Sequence, residues 1–136
     1  LGIQLEGLVA AGAYQQTKYT DPLPVANAVS ERLKKEEKCD MVICLSHLGY
    51  SYDTPKVSDK VLAQETRYID LIIGGHTHTF LDNPVAVVNK SGEKTLINQV
   101  GWGGIKLGRL DFVFSGKKTN EFLNAQSVIV GKQTRG

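Results

Sequence analysis

Three histidines occur in the chain, and two of them stand two positions apart in IDLIIGGHTHTFLD, residues 69–82. His76 and His78 follow an apolar run at 69–73 and the pair Gly74-Gly75. His47 follows another apolar run, at 41–45, in CDMVICLSHLGY. Neutral imidazole is the commonest metal ligand. Two imidazoles at i and i+2 on a turn can reach two different ions, and paired ions in hydrolytic sites lie ~3.5–4 Å apart. Three histidines also suffice for a mononuclear zinc site, where three protein ligands leave a position for water. The spacing alone leaves both open, and also leaves open that the histidines are plain polar surface. Ser46 and His47 do not form a nucleophile–base pair, because neighbours on a strand point apart.

The elements that must position these residues are legible in the pattern. Asp21-Pro22 opens a helix, with Asp as cap and Pro at the first position, where its missing N–H costs nothing. Ala26, Val29 and Leu33 give it an apolar stripe. Lys34, Lys35 and Lys38 crowd its last turn, where cations suit the dipole. A strand at 41–45 follows, then a loop at 50–56. Ser58 caps a short helix running to about Arg67, and a second strand lies at 70–73. Both strands are apolar on both faces, as in a covered central sheet, and the helix between them predicts a βαβ crossover. If the strands are parallel neighbours, all three histidines emerge at one sheet edge, beyond the carboxyl ends where α/β folds bind ligands. Gly74 and Gly75 allow a sharp turn and close backbone approach.

Beyond His78 the pattern turns β-rich. Residues 85–88, a turn at 89–93 and residues 95–99 read as a hairpin. Residues 107–114 alternate like a strand, and 124–130 form another. The fold class expected is α/β (α+β), a mixed sheet with flanking helices and a C-terminal antiparallel meander. Gly101-Trp102-Gly103-Gly104 is not followed by a helix, so it is no ordinary phosphate-cradling loop. It reads as a tight turn with Trp102 packed nearby, or as a loop flanking a site.

The bulk numbers are those of one globular domain: 136 residues, 41% hydrophobic, 22% charged, formal charge +2. The basic residues are mixed with acidic ones, and Lys117, Lys118, Lys132 and Arg135 are too dispersed for a nucleic-acid surface. No stretch approaches the ~18 apolar residues of a membrane span. The chain opens Leu1-Gly2-Ile3 without Met, so its true N-terminus is expected upstream. Cys39 and Cys44 read as two small core residues rather than a disulfide, their spacing placing them on opposite faces of a strand.

SHLGY at 46–50 and GGHTHTFLD at 74–82 resemble two signature blocks of the calcineurin-like metallophosphoesterases, in the bacterial 5′-nucleotidase and UDP-sugar hydrolase branch. Ser58, Asp59, Leu62 and Ala63 between them, and NQVGWGGIKLGRLDF at 98–112, extend the resemblance over about residues 1–115. It implies two face-to-face sheets with helices outside, a four-layer α-β-β-α sandwich of which this chain is half. Residues 1–136 would form the C-terminal half of the catalytic domain, with 116–136 a terminal strand and tail. It implies hydrolysis of nucleotide phosphate esters at a dinuclear metal site. Cyclic nucleotides or UDP-sugars are sister substrates. In the family pattern His47 and His76 bind one metal and His78 the other. Zinc or manganese suits imidazole with carboxylate ligands. Asp70, Asp82 and backbone carbonyls are available as acceptors for the other ring nitrogens.

The family's Asp-x-His, Gly-Asp and Asn-His blocks have no counterpart in the chain. No catalytic residue is therefore expected in this half. The isolated chain should be inactive, bind at most one ion weakly, and self-associate through the face meant for the missing N-terminal half. The alternative is a non-catalytic zinc-binding or interaction module. The resemblance also implies a periplasmic or cell-surface location in a bacterium.

Overall fold

The computed structural model describes residue 2, residues 10–116 and residues 119–131. Lys117, Lys118, Lys132 and Arg135, and with them much of the expected tail, lie outside the described residues.

A single helical turn, α1 (Ala11–Tyr14), precedes helix α2 (Pro22–Lys35). The cap on α2 is the expected one: the Leu23 N–H donates to Asp21 Oδ1 at 3.0 Å. Its buried face differs from the expected stripe. Pro22, Ala26 and Ser30 are buried, at i, i+4 and i+8, while Val29 is 44% exposed. Small side chains along that row let the helix lie close to Val42 and Ile69, with Leu23 and Leu33 packing at its flanks.

Strand β1 (Ile43–Leu45), helix α3 (Asp59–Glu65) and strand β2 (Leu71–Ile73) make the expected strand–helix–strand unit, and β1 pairs parallel with β2. Ser58 caps α3, accepting from the Val61 N–H at 3.3 Å. The hairpin is β3 (Val85–Val88) and β4 (Lys94–Asn98). It does not continue into one meander. Strand β4 inserts beside β2 in parallel, giving a mixed sheet in the order β1-β2-β4-β3. Strands β5 (Lys106–Ser115) and β6 (Thr119–Ile129) form a separate antiparallel ribbon, with a register shift at Asp111/Phe112.

The core lies on the helix side of the sheet. Ile72, Ile97, Leu62 and Ala63 are fully buried there, with Ala26, Val42, Leu48 and Ile69 around them. The expectation that both first strands are covered on both faces holds only in part. Strand β2 is central, but β1 is an edge, and Ile43 and Leu45 are 51% and 69% exposed. Register explains it: Cys44 pairs with Ile72 toward the core, whereas Ile43 and Leu45 pair with Leu71 and Ile73 on the other face. The β5–β6 ribbon approaches that second face over Ile43, Leu71 and Ile73, where Leu107, Leu110 and Phe112 line a groove with them. Cys39 and Cys44 are free thiols, both half-buried.

Candidate functional site

The parallel pairing of β1 and β2 sends both histidine-bearing loops off the same sheet edge. The Ser46 N–H donates to the Ile73 carbonyl at 2.9 Å, so the ladder continues to the residue before His47. His47 and His76 meet there, ring centroids 5.3 Å apart and edge-on. His78 stacks on Trp102, with centroids 5.7 Å apart and planes at 21°. Trp102 is itself 58% exposed, so the Gly-Trp-Gly-Gly turn does flank the histidines.

The glycines are required by close approach. A Cβ on Gly75 would stand 3.1 Å from His47 Nδ1, and one on Gly74 only 2.1 Å from Asp59 Oδ2. The left-handed backbone falls on the histidines themselves, His76 at φ 72° and His78 at φ 53°. Such values are uncommon outside glycine, although histidine tolerates them better than most residues. Their effect is to turn two imidazoles that are two positions apart toward different neighbours, one toward His47 and the other toward Trp102.

Asp59 is a site residue that spacing did not reveal. It opens α3, is fully buried, and accepts from Ser46 Oγ, which in turn accepts from the Leu48 N–H at 3.2 Å. Its own N–H donates to the Gly49 carbonyl at 2.8 Å. The carboxyl thus holds the Ser46 hydroxyl, which in turn holds the Leu48 N–H on the other side of His47. Its Oδ2 has no hydrogen-bond partner among the described residues. Burial pushes the Asp59 pKa up to about 6, against smaller lowering effects from the Ser46 hydrogen bond and from His47. In the sequence Asp59 stood out only as the acid after the Ser58 cap and as one residue of the family resemblance, neither of which gave it a role at the site.

Burial lowers the pKa of His76, helped by the neighbouring His47, Lys56 and His78. A depressed imidazole is neutral at physiological pH, the form that ligates metals. Two neighbouring imidazoles, His47 and His76, are nitrogen donors of the kind that suit a divalent ion, and the His78 ring lies against Trp102. Among the described residues no group of three or more His, Cys, Asp or Glu side chains is placed to hold one ion. Asp70 and Asp82 are committed away from the rings. Asp70 accepts from the Val42 N–H at 2.6 Å and pairs with Lys34, while Asp82 pairs with Lys106. Ser46, bonded to Asp59, is not activated by a histidine.

No protein-family model matches the chain. It is 36% identical over 99 residues to the trifunctional nucleotide phosphoesterase protein YfkN of Bacillus subtilis, a match covering 73% of this chain and 6% of that protein. It is 36% identical over 111 residues to an apyrase of Tabanus yao, covering 71% of this chain and 19% of the apyrase. The solved 5′-nucleotidase precursor of Thermus thermophilus superposes with a TM-score of 0.70 at 25% identity, over 81% of this chain and 23% of that one. The chain thus spans less than a quarter of the length of each of these relatives.

Proposed function

Sequence and fold place the chain with the 5′-nucleotidase-like metallophosphoesterases, and on that premise we propose that it is part of a hydrolase acting on nucleotide phosphate esters. His47 and His76 hold one divalent ion and His78 contributes to a second. The observation that supports this reading best is the pairing of His47 with His76 at 5.3 Å, on loops leaving adjacent parallel strands, with His78 stacked on Trp102.

Bound divalent ions would stabilise charge on the phosphoryl oxygens and lower the pKa of an attacking water. The residues of this chain act as holders. His76 is kept neutral by burial, which leaves a ring nitrogen free to donate its lone pair. Gly75 lets the two loops close to contact, and Trp102 backs the His78 ring. The open face at Ile43 and Leu45 is the surface on which the first sheet of the domain would pack. Carboxylate ligands and the groups that act on the leaving oxygen would come from that part of the protein. The chain alone is accordingly inactive, and binds at most one ion weakly. Its bare apolar face also favours self-association. A periplasmic or cell-surface location rests on the family resemblance. Among the described residues no helix is long and apolar enough to cross a membrane.

The test is hydrolysis of AMP by the longer protein that carries this chain, supplied with Zn²⁺ or Mn²⁺. His76→Ala is expected to lower kcat/KM by roughly 10³-fold or more, because an ion clamp is worth several kcal/mol to a phosphoryl transition state. The isolated chain should show no turnover above a metal-only blank. A longer protein inert toward phosphate esters with every divalent metal would contradict the proposal.

A further inference from the structure

We propose that Gln99 is the positioning residue for His76 and His78, holding the loop between them in its left-handed geometry. Gln99 follows β4 and is 2% exposed. Its side chain lies alongside residues 75–79 and uses both ends of its amide. Nε2 donates to the Gly75 carbonyl at 2.8 Å, the peptide leading into His76. Oε1 accepts from the Thr79 N–H, the peptide leading out of His78, and from Thr77 Oγ1 at 3.2 Å, between the two histidines.

Both residues with positive φ in the loop, His76 and His78, lie inside this bracket. A non-glycine residue in that region persists only where its surroundings over-determine it. Apart from Gln99, the loop's side-chain bonds are the Tyr50 N–H on Thr77 Oγ1 at 3.0 Å and the Thr77–Thr79 hydroxyl contact at 2.9 Å, neither of which touches the Gly75 carbonyl or the Thr79 N–H. The loop's backbone bonds are Gly74 N–H to Asn98, the local Thr77 N–H to Gly75, and Gly101 N–H to Thr79. Neither of the peptides that Gln99 grips enters a strand ladder. A buried amide with donor and acceptor both engaged is a rigid spacer, because breaking either bond strands a polar group away from water. Gln99 acts through the backbone from which both rings project, and so sets which neighbour each ring can face. Its relevance to ion binding rests on the reading of the histidines as ligands.

Nuclear magnetic resonance on the full chain tests this at two levels. In the wild type, the Thr79 amide and the Gln99 side-chain NH₂ should exchange with solvent at least about tenfold more slowly than unprotected amides. Free exchange at both would overturn the proposal without any variant. Gln99→Met keeps length and apolar volume but removes all three bonds. It should abolish Thr79 protection and shift the His76 and His78 Cα and Cβ resonances toward random-coil values, while the β2 and β4 amides stay protected. Unchanged histidine resonances in Gln99→Met would also overturn it. Titration with Cd²⁺ separates the two readings. Wild type that binds Cd²⁺ at His76, with affinity about tenfold or more weaker in Gln99→Met, supports both, in line with the usual effect of groups that orient ligands. A loop that responds to Gln99→Met, when the longer protein carrying the unsubstituted chain takes up no Cd²⁺, supports the positioning role and contradicts the metal reading.

Discussion

The two loops that carry the histidines leave the same sheet edge but are held by different chemistry. The His47 loop is gripped by Asp59, a carboxyl buried with one oxygen unpartnered among the described residues. The His76–His78 loop is gripped by Gln99, a neutral amide with both ends satisfied. A buried amide costs little once bonded, whereas a buried carboxylate must either find compensating charge or take up a proton. The first anchor is therefore sensitive to pH and the second is not. Thr77 joins them, since its Oγ1 accepts from the Tyr50 N–H of the His47 loop at 3.0 Å and reaches Gln99.

The largest effect on this comparison should come from Gly74→Ala. Its Cβ would fall 2.1 Å from Asp59 Oδ2 and 3.0 Å from Gln99 Nε2, so both anchors must shift at once. A loss of ~3 kcal/mol in urea unfolding is expected, at the upper end for overpacking. Gly75→Ala should cost less, because its Cβ meets the His47 ring at 3.1 Å and a ring can swing aside. Equal costs at the two positions would show that the anchors are not tight.

Next in size is a pH effect confined to the Asp59 side. The folded pKa of about 6 lies above the ordinary 3.8, so the folded chain retains a proton that the unfolded chain releases between those values. Stability is then fully present below pH 3.8 and is lost as pH rises through about 6, by on the order of 2–3 kcal/mol. Asp59→Asn removes the ionisation and keeps an acceptor for Ser46. It should be more stable than wild type at pH 8 by about 2 kcal/mol, with the gap closing toward pH 4. Parallel stability profiles for the two proteins between pH 4 and pH 8 would show that Asp59 is not a strained carboxyl. Gln99→Met should leave the slope of the profile unchanged.

Much of the frame that sets up this comparison was legible in the sequence. Apolar runs ending in Ser-His and in Gly-Gly-His marked two strands and the edge at which the imidazoles emerge, because strand burial and turn chemistry are local signals. The Asp21-Pro22 and Ser58 helix starts were legible for the same reason. The insertion of β4 between β2 and β3 was not, since register and neighbour choice are set by tertiary packing. Nor were the anchors. Asp59 reads locally as a first-turn acid, and Gln99 as the end of a strand. Their partners Ser46 and Gly75 lie 13 and 24 residues away. Spacing did suggest that His76 and His78 serve different positions, but the left-handed backbone that separates them leaves no mark in residue type.

The smallest of these effects belongs to the link between the loops. Thr77→Val keeps the shape but leaves the Tyr50 N–H without its acceptor and removes the contact to Gln99. About 1–2 kcal/mol should be lost, at all pH values alike. A loss that grows with pH would mean that Thr77 reports on Asp59 and that the two anchors are one unit.

The central claim is that His47 and His76 serve one ion while His78 serves another. Anomalous diffraction from crystals of the longer protein grown with Mn²⁺ or Zn²⁺ tests it most directly. The account predicts two peaks ~3.5–4 Å apart, one contacted by His47 and His76 and the other by His78. A single peak held by all three imidazoles, or peaks remote from all of them, would contradict it.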